Sequence, residues 1–204
     1  MTTRVAGILL AAGSGSRLGQ PKALVKFEGQ TLAERGVVLL KDGGADPVLV
    51  VSGAVPVSVT AARTVHNPDW RTGMGSSLAA GLRALRGDGE WDASDDPAAP
   101  LAVVIALADQ PLVGAESVRR LIAAYRDGAS VAVAAYDGKP RNPVLIAREH
   151  WPAVLELATG DTGARPFLRA NPDLVTVVEC GDTGRPDDVD TAADLARITR
   201  AESS

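Results

Sequence analysis

Val5-Ala6-Gly7-Ile8-Leu9-Leu10-Ala11-Ala12-Gly13-Ser14-Gly15-Ser16-Arg17-Leu18-Gly19-Gln20-Pro21-Lys22 is the stretch on which the reading of this chain turns. Its first six residues are almost continuously apolar, as in a strand covered on both faces by helices in a parallel sheet. A glycine-rich loop then leaves the C-terminal end of that strand, the edge at which open α/β sheets bind their ligands. Glycine lets the backbone curl closely, so several N–H groups can point at one phosphate chain. Arg17 and Lys22 add the positive charge a triphosphate needs. Two common phosphate loops fail on spacing. No Gly-Lys-Ser/Thr follows, so this is not a Walker A loop. Gly13 and Gly15 start a dinucleotide fingerprint, but its third position is Leu18 and Gly19 comes one residue late.

Outward from this stretch, short β-branched or apolar runs recur at Val48 to Val51, Leu101 to Leu107, Ser130 to Ala135, Pro143 to Ile146 and Leu174 to Val178. Helical segments fall between them. Thr31-Leu32-Ala33-Glu34 fits a capping box opening a helix that stops at Gly43-Gly44. Ser77 to Arg86, Glu116 to Asp127 and Trp151 to Ala158 read as helices, and Thr191 to Asp194 as the cap of a last one. The alternation predicts a three-layer, Rossmann-like α/β sandwich with a mostly parallel sheet. We expect one domain over 1–204, its nucleotide-binding part at about 1–112 and its acceptor part at about 113–204. The stretch from Gly87 to Pro100, rich in Gly, Asp, Ala and Pro, reads as a mobile surface loop. Its acids Asp92, Asp95 and Asp96 read as a solvated charge run in preference to a metal site.

Composition narrows the classes. The net charge of −4 argues against nucleic acid as the main partner. Two histidines and one cysteine cannot build a zinc cluster or an internal disulfide. Cys180 reads as a quiet strand-end residue, and this cysteine usage suits the cytoplasm. The opening Met1 to Gly13 looks superficially like a secretory signal, but a buried first strand explains it better. No run approaches the roughly 18 apolar residues of a membrane span.

Two further loops carry chemistry. Asn67 to Leu78, followed by Gly81-Leu82, places Gly75 and Ser76-Ser77 before a helix, a polar N-terminus suited to an anion or to an ordinary cap. The strand ending at Leu107 delivers Ala108-Asp109-Gln110-Pro111 to the same edge as the glycine loop. An aspartate there suits Mg²⁺, a hard ion that prefers oxygen ligands, and could equally cap a turn. Asp187-Asp188-Val189-Asp190-Thr191 offers a second carboxylate, Asp190, which could also cap the last helix.

The loop from Leu10 to Lys22 resembles the L-A-A-G-x-S/G-x-R-x-G-x-x-K signature of the molybdenum cofactor cytidylyltransferases and their MobA-like relatives. The likeness continues in Asn67 to Leu78, in the D-x-P of Asp109 to Pro111, in Asp188 to Thr191, and in Gly160-Asp161-Thr162-Gly163-Ala164-Arg165. It implies a Mg²⁺-dependent nucleotidyltransferase that moves CMP from CTP to a phosphorylated acceptor, with molybdopterin the leading candidate and a molybdenum hydroxylase receiving the product. It implies nucleotide contacts from Leu10, Ala11, Ala12, Gly13, Ser14, Gly15, Lys22, Ser77 and Gly81. Arg17, Lys22 and Asp109 take the catalytic roles, and Asp109 and Asp190 the metal. Arg141, Asn142 and Arg165 take the acceptor, although relatives acting on molybdopterin usually carry Gly-His where Arg141-Asn142 stands, which leaves the acceptor open. Leu-Ala-Ala-Gly in place of Leu-Ala-Gly-Gly favours CTP over GTP within the family. The alternatives are a sibling using GTP or another acceptor, an NAD(P)-dependent oxidoreductase, a label some relatives carry, and a non-catalytic nucleotide sensor. The displaced third glycine and the pairing of Lys22 with Asp109 argue against the oxidoreductase.

Overall fold

The computed structural model describes residues 4–87 and 99–202, the last two of these as backbone only. The acids Asp92, Asp95 and Asp96 lie outside the described residues. Chain order runs β1 (Val5–Leu10), β2 (Lys26–Phe27), β3 (Gln30–Thr31), α1 (Leu32–Asp42), β4 (Val48–Ser52), β5 (Arg63–His66), α2 (Met74–Arg86) and β6 (Ala102–Leu107). It continues through α3 (Ala115–Arg126), β7 (Val131–Tyr136), β8 (Lys139–Ala147), α4 (Trp151–Leu157), α5 (Arg165–Ala170), β9 (Val175–Glu179) and α6 (Ala192–Glu202).

Seven strands form one sheet in the order β5-β4-β1-β6-β8-β7-β9. All run in one direction except β8, which is antiparallel to both β6 and β7. β1 is central and every one of its residues is buried. Side chains alternate across a strand, so Val5 and Leu9 enter one core and Ala6, Ile8 and Leu10 the other. The first core is closed by α1 and α3, through Val37, Leu40, Val118 and Leu121. The second is closed by α2, α4 and α5, through Leu78, Leu82, Trp151 and Phe167. This is the expected α/β/α sandwich. A third, small cluster joins the β2–β3 hairpin to the C-terminal segment through Val25, Phe27, Leu32, Val189 and Ile198.

The capping box of α1 forms as expected: Glu34 N–H donates to the Thr31 hydroxyl, and Thr31 N–H donates back to the Glu34 carboxylate at 2.7 Å. β5 is a strand that sequence reading did not assign. β8 is longer than the run from Pro143 to Ile146, because its exposed first half, from Lys139, pairs with the end of β7. Cys180 is fully buried just after β9. No helix among the described residues is long and apolar enough to cross a membrane.

Candidate active site

Three segments converge at the C-terminal edge of β1 and β6. The first is the glycine loop. Gly15 sits at φ +61°, and a Cβ there would lie 2.0 Å from the Gln20 carbonyl oxygen and 2.9 Å from Lys22 N. Only glycine allows that approach, and the approach fixes where the Lys22 backbone emerges. Gly13, by contrast, is exposed and faces open space, as a backbone that must meet a ligand should.

The second segment follows β6 and carries Asp109. The third, 181–190, returns from β9 and runs against it. Arg185 N–H donates to Leu112 O and Val189 N–H to Asp109 O, at 2.9 and 2.8 Å. Gly114 and Gly184 make this approach possible, since a Cβ on either would lie 1.9 and 2.3 Å from the other segment's carbonyl oxygens. Val189 is buried in the third cluster, which turns its two neighbours toward the cleft. Asp188 accepts a 2.9 Å bond from Gln110 Nε2. Asp190 reaches Lys22. The cap of α6 is Thr191 with Asp194, not Asp190, because Asp194 N–H donates to the Thr191 hydroxyl and the Asp194 carboxylate accepts from Thr191 N–H.

Lys22 therefore stands between two carboxylates. Its Nζ donates to Asp109 Oδ2 at 2.6 Å and, more closely still, to Asp190 Oδ1. The Lys22 and Asp109 side chains are each 22% exposed and Asp190 44%. Burial alone would lower the pKa of the Lys22 ammonium. The Asp109 carboxylate, with Asp190 behind it, outweighs that and raises it. Asp188 shifts upward from its ordinary value because its carboxyl is taken out of water. The Gln110 bond opposes the shift, while Asp109 and Asp190 add to it. The donor set fits a hard divalent cation: two carboxylates converge on one positive charge, which Lys22 Nζ supplies here in a metal's stead. No third carboxylate, imidazole or thiol joins them as a compact metal cluster among the described residues. The remaining ligands would be phosphate and water oxygens.

A cavity of about 360 Å³ opens over this group. Of the residues singled out in the sequence, Leu10, Ala11, Ala12, Gly13, Ser14, Lys22, Ser77 and Asp109 line it. Three expected residues do not: Gly15 is buried beneath the loop it closes, and Gly81 and Arg17 also lie off the lining. Gly81 lies in the middle of α2 with its α-carbon against the sheet, and a Cβ there would lie 2.9 Å from Ile8 Cδ1, so it serves helix–sheet packing. Arg17 stands exposed on the turn at 16–19, off the cavity wall. An arginine that does line it is Arg71, whose guanidinium lies 4.5 Å over the Trp70 ring. Trp70 and Arg71 both line the cavity, and Trp70 fits because Gly53 has no side chain: a Cβ there would sit 2.5 Å from Trp70 Cβ and 2.8 Å from Ala12 Cβ. Sequence reading quoted this loop and passed over both residues. A tryptophan followed by an arginine amid short polar residues was the available signal. It likewise took Arg165 from the Gly-Asp-x-Gly turn and missed Asp161, whose carboxylate accepts from Met74 N–H at 3.3 Å at the start of α2.

A second cavity, of about 780 Å³, meets the first at Met74, Leu107 and Asp109. Arg141 and Asn142 on β8 and Arg165 on α5 line it, as does Arg169, which sequence reading did not single out. None of the three arginines pairs with a carboxylate among the described residues, whereas Arg35, Arg120 and Arg197 all do. Asp187, Asp188 and Asp190 form the other side. The arrangement can hold a nucleotide and a second anionic molecule on either side of one pair of carboxylates.

Comparison with known proteins places this geometry. Residues 7–175 match the model of a MobA-like NTP transferase domain. The chain is 38% identical to nicotine blue oxidoreductase of Paenarthrobacter nicotinovorans, over 95% of this chain and 96% of that protein. It is 31% identical to a probable molybdenum cofactor guanylyltransferase of Opitutus terrae, over 81% of this chain and 78% of that one. Among solved structures, it superposes on a Mycobacterium sp. strain JC1 homologue of the Mycobacterium tuberculosis protein Rv0371c. The TM-score is 0.81 and the identity 29%, covering 98% of each chain.

Proposed function

The chain belongs to the MobA-like NTP transferase family and is a nucleotidyltransferase, and from that premise we propose that it transfers CMP from CTP to a phosphorylated small molecule, molybdopterin foremost, in the cytoplasm. A molybdenum hydroxylase is the proposed recipient of the product. The observation that carries the reading is the meeting of the two cavities at Asp109, with Lys22 and Asp190 beside it. The nucleotide side is drawn mainly from the first half of the chain, and the acceptor side mainly from the second.

The residues divide the work as follows. The backbone of Gly13 and Ser14, with Lys22 and Arg71, receives the triphosphate. Ala11, Ala12 and Trp70 bound the base. Arg141, Asn142, Arg165 and Arg169 hold the acceptor and turn its phosphate toward the α-phosphorus. Asp109 and Asp190 hold a divalent metal, Mg²⁺ in the simplest case, which would neutralise charge on the reacting phosphates. A phosphate monoester is largely dianionic near pH 7, with a second pKa of about 6, so attack with loss of pyrophosphate needs no general base. Positioning and charge neutralisation are then the whole catalytic task.

A second reading is supported by the name of the P. nicotinovorans relative: an oxidoreductase using a nicotinamide cofactor in the same cleft. One experiment separates the two. Thermal melts are run with CTP, GTP and NADPH, each with and without Mg²⁺, followed by pyrophosphate release with molybdopterin. A ligand at a hundred times its dissociation constant adds about 2.7 kcal/mol. For a chain of this length that raises Tm by roughly 5–10 °C. CTP with Mg²⁺ should do so and NADPH should not; stabilisation by NADPH alone would replace the transferase reading with the oxidoreductase.

A further inference from the structure

We propose that Lys22 is an exchangeable counter-ion, held by the Asp109–Asp190 pair in the free protein and handed to the phosphates on loading, so that the divalent metal enters only together with the nucleotide. The inference rests on the reading of Asp109 and Asp190 as metal ligands and goes beyond it, because it assigns the order in which the site fills.

The argument starts from what an ammonium can do. It carries three donors and no lone pair, so it cannot ligate a metal and can only compete with one. Lys22 Nζ bonds both carboxylates that would hold the cation, one of them at 2.6 Å. A divalent ion entering between Asp109 and Asp190 would meet a like charge at contact distance. Lysine and metal therefore exclude one another. Without a nucleotide the exchange costs the lysine two ion pairs, and Asp188, a further carboxylate that feels its charge, is already engaged by Gln110.

A triphosphate changes that balance. Lys22 lines the same cavity as Gly13 and Ser14, so a phosphate chain on that loop lies within reach of its flexible four-carbon stem. The backbone below the stem is fixed, because Lys22 opens a short 3₁₀ turn, with Val25 N–H bonded to Lys22 O at 3.0 Å, and Gly15 packs against it. The side chain can swing while its root stays in place. One lysine then fills two roles in succession, and the carboxylate pair is never left uncompensated.

The test counts bound Mn²⁺, a spectroscopically visible divalent ion, in the full-length protein. Electron paramagnetic resonance is recorded without nucleotide, and metal retention on ultrafiltration is measured with and without CTP. Wild type should bind Mn²⁺ weakly alone and retain it with CTP. Lys22→Met should bind it at least tenfold tighter than wild type with no nucleotide present. Lys26→Met, which removes an exposed charge of the same sign, should match wild type. Adding Asp190→Asn to Lys22→Met should abolish the gain. Equal nucleotide-free affinity in wild type and Lys22→Met would overturn the exchange and leave the metal site standing. Should Lys22→Met fail to fold by circular dichroism, the wild-type arm decides: retention that CTP does not increase overturns the proposal. Failure of every protein to take up Mn²⁺, even with CTP, would overturn the metal reading and the exchange with it.

Discussion

At the scale of single residues, the cleft is a problem in charge, and Asp109 is where it is solved. It lies at the end of a fully buried strand, yet its side chain opens to the cavity. Asp109→Ala removes the proposed metal ligand and one of the two carboxylates paired with Lys22 without touching the core. Pyrophosphate release at saturating Mg²⁺ should fall at least a hundredfold while the circular dichroism spectrum stays unchanged; activity within threefold of wild type would contradict the assignment. Ala12 is the second such residue. The residue is 7% exposed and lines the same cavity as Trp70. A purine needs more room there than a pyrimidine, and one methyl in a tight pocket is worth about 1–3 kcal/mol. Wild type should prefer CTP to GTP by kcat/KM, and Ala12→Gly should move the ratio toward GTP by roughly tenfold; a wild-type preference for GTP would refute the base assignment.

At the scale of elements, the two loop glycines should separate stability from binding. Gly15→Ala must place a methyl on the Gln20 carbonyl at a left-handed φ, which costs an L-residue about 1–2 kcal/mol before any clash. Gly13→Ala meets nothing within 4 Å. Denaturant melts should therefore show Gly15→Ala destabilised and Gly13→Ala near wild type, while equilibrium binding of CTP weakens in both. Equal stability in the two variants would mean that the loop does not close as described. The same loop marks the boundary of what could be read from sequence. β1, β4 and β6 were legible because strands buried on both faces must be continuously apolar. β5 was not: Arg63, Thr64 and His66 are exposed at the sheet edge, so no apolar run exists to find. The reversed direction of β8 was also invisible, since side-chain periodicity carries no information on strand direction. Asp109 could be placed at the ligand edge because it follows a buried strand, and Lys22 because it closes the glycine-rich loop that leaves another. The presence of Arg71 on the cavity wall was not legible, because it depends on Gly53 making room for Trp70, and Gly53 and Trp70 are brought together only by the fold.

At the scale of the whole molecule, carboxylates that tie the periphery to the sheet set the acid limit of the fold. Glu34 is held below its ordinary 4.5 by the Thr31 backbone N–H and then the Thr31 hydroxyl. Glu179 is held below 4.5 by the N–H groups of Gly138 and Gly181. Asp182 is lowered from 3.8 by the Arg120 guanidinium, and Asp194 by the Thr191 hydroxyl and N–H. A carboxyl whose folded pKa lies below its unfolded one binds fewer protons when folded. Its stabilisation is fully present above the unfolded value and is lost as pH falls through the folded one. Asp188 has the opposite sign: its raised pKa means that protonation on folding relieves burial, so it offsets part of the loss. Four groups against one give a net decline. Tm should be level from about pH 6 to 8 and fall progressively below about pH 5. All four carboxylates are at the surface, so each contribution is small and the Asp182–Arg120 part should shrink further in high salt. Asp194→Ala provides the internal control. Because Asp194 closes the first turn of α6, and α6 packs Ile198 against Val189, the segment holding Asp190 depends on it. The variant should lower the neutral plateau and flatten the acid limb together. A lowered plateau with an unchanged acid limb would show that the Asp194 carboxylate is not one of the groups titrating there, and an unchanged plateau that Thr191 alone forms the cap beside Asp190.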